Sequence, residues 1–326
     1  MKKYLPLIII FCLSYSINFK AQISSSDNAL FAPFAQSAPP SINVLDFNSI
    51  SNYHFFNSFA FNPAMAGIED KRRINFDWNR QNYHSVSTSY EQPIAAINSA
   101  IGVHYEFNIN DFNKTHRYGL AYNYGFRWKE NTQLRLGVQF SQINVKVKDF
   151  TLPLDRDKWY NFPSLDLGIA FQFKQLRLGA SVQNLIPREF AKFSERTESY
   201  INQVDTERTL NFSAANTFQF TKNWDWSVAA LMRFYNHEII EDIIYGYGYP
   251  SYYLYEGNKK QHDFSSYISF QKRYTIGATY RTQHDPVWIG FVGVKLKEKL
   301  NLLFSFNMDK HEGEPRFWEA LTQYQF

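Results

Sequence analysis

Large apolar residues occupy every second position along several long segments of the chain. From Tyr118 to Trp128 they alternate with small or polar residues, which are Gly119, Ala121, Asn123, Gly125 and Arg127. The same period of two returns near residues 134–140, 165–173, 176–182 and 300–308. This pattern predicts β-strands with one apolar face. No segment with a helical period lies between them, so the sequence indicates an all-β chain.

Fourteen segments with this alternation can be marked along the chain. They lie near residues 71–81, 83–91, 98–108, 116–128, 132–144, 163–173, 175–184, 207–220, 223–235, 262–272, 274–283, 286–297, 299–309 and 315–326. Most are long enough to cross a bilayer as tilted strands, which takes about 9 to 11 residues.

The connections between these segments alternate in length. Long connections are predicted at 145–162, 185–206 and 236–261, and very short ones at 129–131, 174, 221–222, 273 and 298. Counting crossings from a periplasmic N-terminus places every short turn on the periplasmic side and all the long loops outside, as in outer-membrane barrels. We therefore predict a transmembrane antiparallel β-barrel of about 14 strands with periplasmic N- and C-termini.

Composition separates this prediction from two other classes of protein. Aromatic residues make up 18% of the chain, but charged residues make up only 20% and mean hydropathy is -0.42. A helical membrane protein would have several runs of about 20 apolar residues, which the sequence lacks. A soluble β-sandwich also alternates, but its strands are nearer 5 or 6 residues. The scattered net charge of +4 gives no reason to expect a nucleic-acid partner.

The polar faces of the predicted strands carry the charges. Arg127, Arg135, Asp166 and Arg177 all lie on the small or polar face of their segments, away from the predicted lipid side. The run 287–295 is apolar on both faces, so its orientation stays unassigned at this stage.

The N-terminus has the layout of a secretory signal peptide over residues 1–21, with Lys2 and Lys3 before an apolar run. A short membrane anchor is the alternative, although the run is short for a span. Cys12, the only cysteine, lies in this segment after Phe11, which is not the small residue that usually precedes a lipidated cysteine. Residues 22–60 are predicted to form a periplasmic or lumenal leader, and residues 61–326 the barrel.

The sharpest local signature is the block Phe61-Asn62-Pro63-Ala64-Met65-Ala66-Gly67. Asn before Pro favours a turn, Gly67 tolerates positive φ, and the small alanines permit close packing, so the block predicts a tight bend before the first strand. The first strand then ends in a second element, Asn79-Arg80-Gln81-Asn82-Tyr83.

With these two blocks in this order, the chain from Tyr53 onward resembles the PorP/SprF family of type IX secretion system membrane proteins. The carried-over motif residues are Asn62, Pro63, Ala64, Ala66, Gly67, Arg80 and Gln81, while Met65 replaces the family's usual aromatic residue. The resemblance implies an outer-membrane barrel of the type IX secretion and gliding machinery. It also implies partners: a type IX cargo or surface adhesin, which the barrel helps to secrete or anchor, and other components of the machinery.

The alternative function is an outer-membrane porin or transporter for small solutes, with the leader as a plug. The predicted inward positions are mostly Gly, Ala, Ser, Asn and Gln with a few Arg, which suits both a closed lumen and a hydrated one.

Two aromatic segments are candidates for contact sites. The long connection 236–261 contains six tyrosines, Tyr245, Tyr247, Tyr249, Tyr252, Tyr253 and Tyr255, among flexible residues. Such a segment suits a partner-binding loop, or else it extends two barrel strands above the membrane. The last strand ends in Tyr324 and Phe326, which resembles the signal read by the barrel-assembly machinery during insertion into outer-membrane lipid.

Enzyme chemistry has little support in the sequence. The run from His237 through Glu238 to Glu241 has a glutamate where a zinc protease needs its second histidine. Pairs such as His84 with Ser85, or His262 with Ser265, are the only hydrolase candidates marked. We predict no catalytic activity, no metal and no cofactor.

Overall fold

The computed structural model describes residues 54–80, 84–109, 113–129, 131–147, 158–186, 189–194, 199–205, 208–236, 243–246, 249–252, 260–282, 287–307 and 318–326. Fourteen strands form a closed antiparallel barrel, which confirms the predicted fold class. Each predicted segment corresponds to one barrel strand. The prediction that both termini face the periplasm is not tested by the fold.

The first seven barrel strands are β1 (Arg73–Arg80), β2 (His84–Ile94), β3 (Ser99–Ile109), β4 (Asn113–Lys129), β5 (Thr132–Val147), β6 (Lys158–Phe173) and β7 (Leu176–Gln183). The others are β10 (Arg208–Gln219), β11 (Trp224–Asn236), β14 (Lys260–Phe270), β15 (Tyr274–Thr282), β16 (Val287–Leu296), β17 (Leu300–Asn307) and β18 (Trp318–Gln325). Each pairs with the next one in the chain, and β18 pairs with β1 to close the barrel.

Two hairpins lie outside the barrel sheet. They are formed by β8 (Glu189–Ser194) with β9 (Ser199–Asp205), and by β12 (Ile243–Gly246) with β13 (Tyr249–Tyr252). Both interrupt connections that the sequence indicated only as long loops. The connection predicted at 145–162 is also shorter than expected, because β6 continues through Pro163 back to Lys158 in register with β5.

The barrel has two distinct ends. The short turns after β2, β4, β6, β10, β14 and β16 lie at the end where β1 starts and β18 stops, here called the short-turn end. The connections that contain the two hairpins lie at the opposite, long-loop end. Positive φ angles at Gln271 and Lys272, and at Lys297 and Glu298, allow two of the short turns to reverse the chain tightly.

Burial is inverted relative to a soluble protein. Inward positions of the strands are polar and buried, for example Asn75, Arg135 and Asp166, whereas outward positions such as Leu120 and Ile276 are apolar and exposed. An apolar outer face with a polar interior is the arrangement of an outer-membrane barrel. The charged residues predicted to avoid the lipid side, including Arg135 and Asp166, are on the inward face.

None of the helices in the described part of the chain has the length and hydrophobicity that a membrane span requires. The short helical pieces are 3₁₀ turns at Ser58–Ala60, Pro63–Met65 and Ala95–Ile97.

Candidate functional site

The interior of the barrel is occupied by the chain that precedes β1. Residues 54–70, here called the lumenal segment, contact inward side chains from strands on opposite sides of the barrel. At one point Gln323 of β18 donates a hydrogen bond to the carbonyl oxygen of Phe56, and at another Gln183 of β7 donates to Ala60. The segment therefore crosses the lumen.

The family-like block forms the turn at the centre of this segment. Asn62 caps the 3₁₀ turn Pro63–Met65 by accepting a hydrogen bond from the Ala64 amide at 2.9 Å. Gly67 follows with φ of 62°, a conformation that glycine adopts at no steric cost. The tight bend expected before the first strand is present, and it lies inside the barrel.

The Asn62 amide group also joins the turn to the barrel wall. Its Nδ2 atom donates to the carbonyl oxygens of Ile169 in β6 at 3.0 Å and of Ala180 in β7 at 3.1 Å. These two residues are paired in the sheet. Asn62 therefore satisfies its own turn and two wall carbonyls with a single side chain.

Three glycines on adjacent strands of the wall lie where the turn approaches it. Gly137 in β5 and Gly168 in β6 are paired residues, and Gly179 lies on the adjacent strand β7. A Cβ atom at Gly137 would overlap the backbone of Pro63 and Ala64, and one at Gly168 would overlap the side chain of Asn62. Only residues without a side chain allow the turn to lie this close to the sheet.

Polar wall side chains satisfy the backbone carbonyls of the turn. Asn123 in β4 donates to the carbonyl oxygens of Pro63 at 3.1 Å and Ala66 at 2.8 Å. Arg135 in β5 donates to Ala66 at 3.1 Å, and Gln133 donates to Ile68 at 3.3 Å. The buried polar face that the sequence predicted thus binds the lumenal segment, where unpaired carbonyls would be costly.

Two acidic residues attach the end of the segment to wall arginines. Glu69 lies 2.7 Å from Arg177 and 3.2 Å from Arg73, and Arg73 also pairs with buried Glu91 at 2.9 Å. The Arg73 guanidinium, helped by Arg177 and Lys71, lowers the pKa of the Glu69 carboxyl to about 2. Asp70 lies at the exposed rim, 3.0 Å from Arg127.

An aromatic anchor holds the start of the segment on the other side of the lumen. Phe55 is 5% exposed and stacks on Tyr267 at a centroid distance of 4.8 Å, with Phe291 at 5.4 Å and Leu303 and Leu321 in the same cluster. This contact explains the run 287–295, which is apolar on both faces. Its inward residues Ile289 and Phe291 are buried against the lumenal side, whereas Trp288 and Val292 face outward.

His54 lies beside Phe55 in a fully buried position. Burial lowers the pKa of His54 to about 4, the nearby Asp263 carboxylate acts in the opposite direction, and Arg281 and Arg233 add to the lowering. The imidazole is therefore neutral when the segment is docked at neutral pH.

A cavity lies beside the lumenal segment, among the described residues of the barrel interior. This cavity of about 350 Å³ lies between Phe55 and Phe56 and the inward residues of β11 and β14–β17, toward the short-turn end. Its size falls within the range of small-ligand pockets, about 300 to 1,000 Å³.

The other predicted site residues fall at separate places. Arg80 is the last residue of β1, and Gln81 lies outside the described residues. Of the six tyrosines, Tyr245, Tyr249 and Tyr252 belong to the β12–β13 hairpin, while Tyr247, Tyr253 and Tyr255 lie outside the described residues. The hairpin forms its own sheet, so these strands do not extend the barrel sheet.

The C-terminal aromatics lie on the outer surface at the short-turn end. Tyr324 and Phe326 are 37% and 59% exposed, and their rings meet edge to face at 4.9 Å. The Phe326 amide donates to the carbonyl oxygen of Arg72, so the end of the chain closes against the start of β1.

The two His and Ser pairs considered for hydrolysis are not assembled into a site. His84 and Ser85 are neighbours in β2, and His262 and Ser265 are three residues apart in β14, so each pair is split between opposite faces of its strand. Ser265 instead bonds Thr279 at 2.8 Å. Within the described residues, no cluster of three or more His, Cys, Asp or Glu side chains is arranged to hold a metal ion.

Sequence reasoning missed most of the residues that hold the lumenal segment. Phe55, Glu69 and Asp70 carried no marked motif, and Gly137 and Gly168 looked like ordinary small residues of the polar face. The doubly apolar run 287–295 was the one visible signal, because inward apolar residues in a polar lumen need an apolar partner.

The barrel is similar in fold to a solved structure, that of TodX. The toluene transporter TodX of Pseudomonas putida aligns with a TM-score of 0.50 and 8% identity over 82% of this chain and 93% of that one. The Ralstonia pickettii toluene transporter TbuX and a Pseudomonas aeruginosa FadL homologue each align with a TM-score of 0.48, at 9% and 10% identity, over 82% of this chain and 92% and 93% of theirs. At such identities the likeness concerns fold alone.

No curated protein matches the chain. A family model described as type IX secretion system membrane protein PorP/SprF matches residues 46–319, which includes the whole lumenal segment, the barrel strands from β1 to β17 and the first two residues of β18. With its polar interior, apolar outer face and fourteen closed strands, this outer-membrane barrel belongs to the PorP/SprF family of type IX secretion system membrane proteins.

Proposed function

We propose that this barrel assists the secretion or surface anchoring of a partner protein, such as a large adhesin exported by the type IX machinery. The observation that carries the proposal is the docked lumenal segment. Phe59, Ala64, Met65, Ala66 and Ile68 are each at most 3% exposed, so the chain packs against the wall as a structural core. A barrel filled in this way is suited to be a scaffold for partners.

The partner surface in this proposal is the long-loop end. The β12–β13 hairpin projects from the connection between β11 and β14 as a sheet of its own. Tyrosines on such a hairpin supply large contact areas and a hydrogen-bonding tip at low entropic cost. We expect the hairpin to contact the secreted partner directly.

The topology of export follows the same proposal. A signal peptide over residues 1–21 directs export, and residues 22–60 lead from the periplasm into the lumen. The short-turn end then faces the periplasm and the type IX components there, and the barrel-assembly machinery reads Tyr324 and Phe326. Lys222 lies in one of the short turns. In a Lys222→Cys variant, the new cysteine should not react with a membrane-impermeant maleimide in intact cells and should react after lysis.

Pull-down of the detergent-solubilised protein tests the partner role. Mass spectrometry of the native protein should identify a large surface protein with a type IX sorting domain. Deletion of residues 245–255 should abolish this co-purification while the barrel still assembles. As a control, deletion of residues 195–198, which connect β8 to β9 in the sequence, shortens another connection at the same end and should preserve co-purification. Unchanged co-purification after deletion of residues 245–255 would exclude the hairpin as a contact site for the partner.

Transport of small solutes is the second candidate function, and the cavity beside Phe55 favours it. In this case the lumenal segment acts as a displaceable plug, and TodX, a toluene transporter, provides an analogy in fold. Planar-bilayer recordings separate the two candidates. Ion conductance by the native protein with no co-purifying partner would favour transport, whereas conductance seen only after deletion of residues 54–67 would favour the scaffold.

A further inference from the structure

The cavity beside the lumenal segment is a pocket with one polar end and one apolar end. Toward the middle of the barrel it ends on Phe55, Phe56, Tyr267 and Leu303, which contact one another. Toward the short-turn end its lining includes Lys272 and Lys295. The aromatic residues are here called the floor of the pocket, and the end with the two lysines its mouth.

The charges of the pocket differ in whether they are already neutralised. Arg73 and Arg177 line it too, but both are bound to Glu69. Within the described part of the chain, Lys272 and Lys295 form no ion pair or hydrogen bond through their side chains. Lys295 also interacts electrostatically with Lys71, Glu298, Glu69 and, most weakly, Lys272. Two unpaired ammonium groups of this kind attract an anion.

One acidic group limits how positive the pocket is. The Asp225 carboxylate also lines it and has no ion-pair partner among the described residues. Arg73 and Arg177 are balanced by Glu69 and Glu91, and Lys71 and Glu298, which also act on Lys295, balance each other. Lys272 and Lys295 against Asp225 then leave a surplus of one positive charge. A ligand with a single negative charge would balance the pocket, whereas a cation would add to the surplus.

We propose that this pocket binds a small amphiphilic monoanion, a carboxylate with an apolar tail or ring. The carboxylate lies between Lys272 and Lys295 at the mouth, and the apolar body lies on Phe55, Tyr267 and Leu303. Such a ligand replaces water on the aromatic floor, which is the favourable contribution of apolar burial. The site depends on the docked lumenal segment, because Phe55 and Phe56 form part of its floor.

Calorimetric titration of the full-length protein in zwitterionic nanodiscs tests the proposal. The probe is 6-phenylhexanoate, with empty nanodiscs as the blank and 6-phenylhexan-1-ol and 6-phenylhexylamine as neutral and cationic analogues. We expect saturable 1:1 binding of the carboxylate, weaker binding of the alcohol and none of the amine. Shortening the probe to 4-phenylbutyrate should weaken binding about tenfold, since two buried methylene groups are lost.

Three variants connect the binding to this pocket. The double variant Lys272→Gln with Lys295→Gln should weaken carboxylate binding about tenfold and leave alcohol binding unchanged. Ser269→Trp places a ring in the pocket, which Ser269 lines, and should abolish binding of both probes. Lys222→Gln is the matched control, because Lys222 belongs to another short turn and does not line the pocket; it should bind like the native protein.

Several results would overturn the proposal. These are equal affinity for carboxylate and alcohol, tightest binding of the amine, an unchanged affinity in the double lysine variant, or no saturable binding at all. If the double variant does not fold, the salt dependence of carboxylate binding replaces it: affinity that is the same at low and high salt would exclude the lysines as ligands. Loss of partner co-purification is measured separately, so failure here leaves the secretion role unaffected.

Discussion

The close approach of the turn at Asn62 to Gly168 makes one substitution especially informative. In Gly168→Ala the new Cβ atom would overlap the side chain of Asn62 and lie 3.0 Å from Cδ of Pro63. The strand is fixed by its neighbours on both sides, so the turn has to move. The movement would lengthen the two hydrogen bonds from Asn62 to the carbonyl oxygens of Ile169 and Ala180.

The expected cost follows from this geometry. Adding a methyl group to a well-packed site costs about 1–3 kcal/mol. The two hydrogen bonds from Asn62 to the wall are each worth about 0.5–1.5 kcal/mol, so losing both costs about 1–3 kcal/mol, the same range. A cost of about 1–3 kcal/mol raises the population of the displaced lumenal segment about 5- to 150-fold.

Cysteine accessibility measures that population. Met65 is 3% exposed, so a Met65→Cys reporter in a Cys12→Ser background reacts with a membrane-impermeant maleimide only when the segment leaves the wall. We expect the labelling rate to rise about 5- to 150-fold in Gly168→Ala. Gly119→Ala is the control, because Gly119 also faces inward but its nearest neighbours are the flexible ends of Gln139 and Ser141. Equal labelling rates in the two variants would refute the close-packing argument.

Three further predictions concern the same segment and the end of the chain. Phe55→Ala removes the aromatic anchor at a cost of about 3–5 kcal/mol and should raise Met65→Cys labelling more than Phe56→Ala, since Phe56 is only partly buried; the reverse order would contradict the anchor. Burial lowers the pKa of His54 to about 4, so a displaced segment with an ordinary pKa of 6.5 takes up a proton that the docked one does not. The free energy of docking of the lumenal segment should therefore become less favourable by about 3 kcal/mol as pH falls from 6.5 to 4. The Met65→Cys reporter should then be labelled faster, relative to a freely exposed cysteine at the same pH. His54→Phe should remove this pH dependence. Phe326→Ser should slow barrel assembly, measured as delayed appearance of the heat-modifiable folded band, whereas unchanged kinetics would exclude a signal role for the terminal ring.

The strands were predictable because their signal is local. In a strand with one lipid-facing side, each residue differs in polarity from its direct neighbours, so a few residues such as 118–128 identify β4 without knowledge of the rest of the chain. Pairing is then fixed by sequence order in an antiparallel meander. The hairpins β8–β9 and β12–β13 were missed because they are short two-stranded sheets outside the barrel, with strands of only four to seven residues in which no sustained alternation was marked.

The lumenal segment was only partly predictable. The bend at Asn62 and Gly67 follows from turn chemistry, and it is present. Its position against Gly137 and Gly168 joins residues more than 70 positions apart, and nothing in a local window marks those glycines as contact points. The same is true of Glu69 with Arg177, whose ion pair spans 108 positions.

By itself, the amino-acid sequence determined that this protein is a fourteen-stranded barrel with an apolar outer face and a polar inner one, and its motifs indicated the family. Only the tertiary structure decided that residues 54–70 fill the lumen, that Phe55 is the partner of the inward apolar residues of β16, and that a charged pocket remains beside it. The physical reason is the separation along the sequence of the residues that interact. Alternating polarity is a relation between neighbouring residues, whereas the interior of a closed barrel brings together groups that are far apart in the sequence, such as the Phe56 carbonyl and the Gln323 side chain.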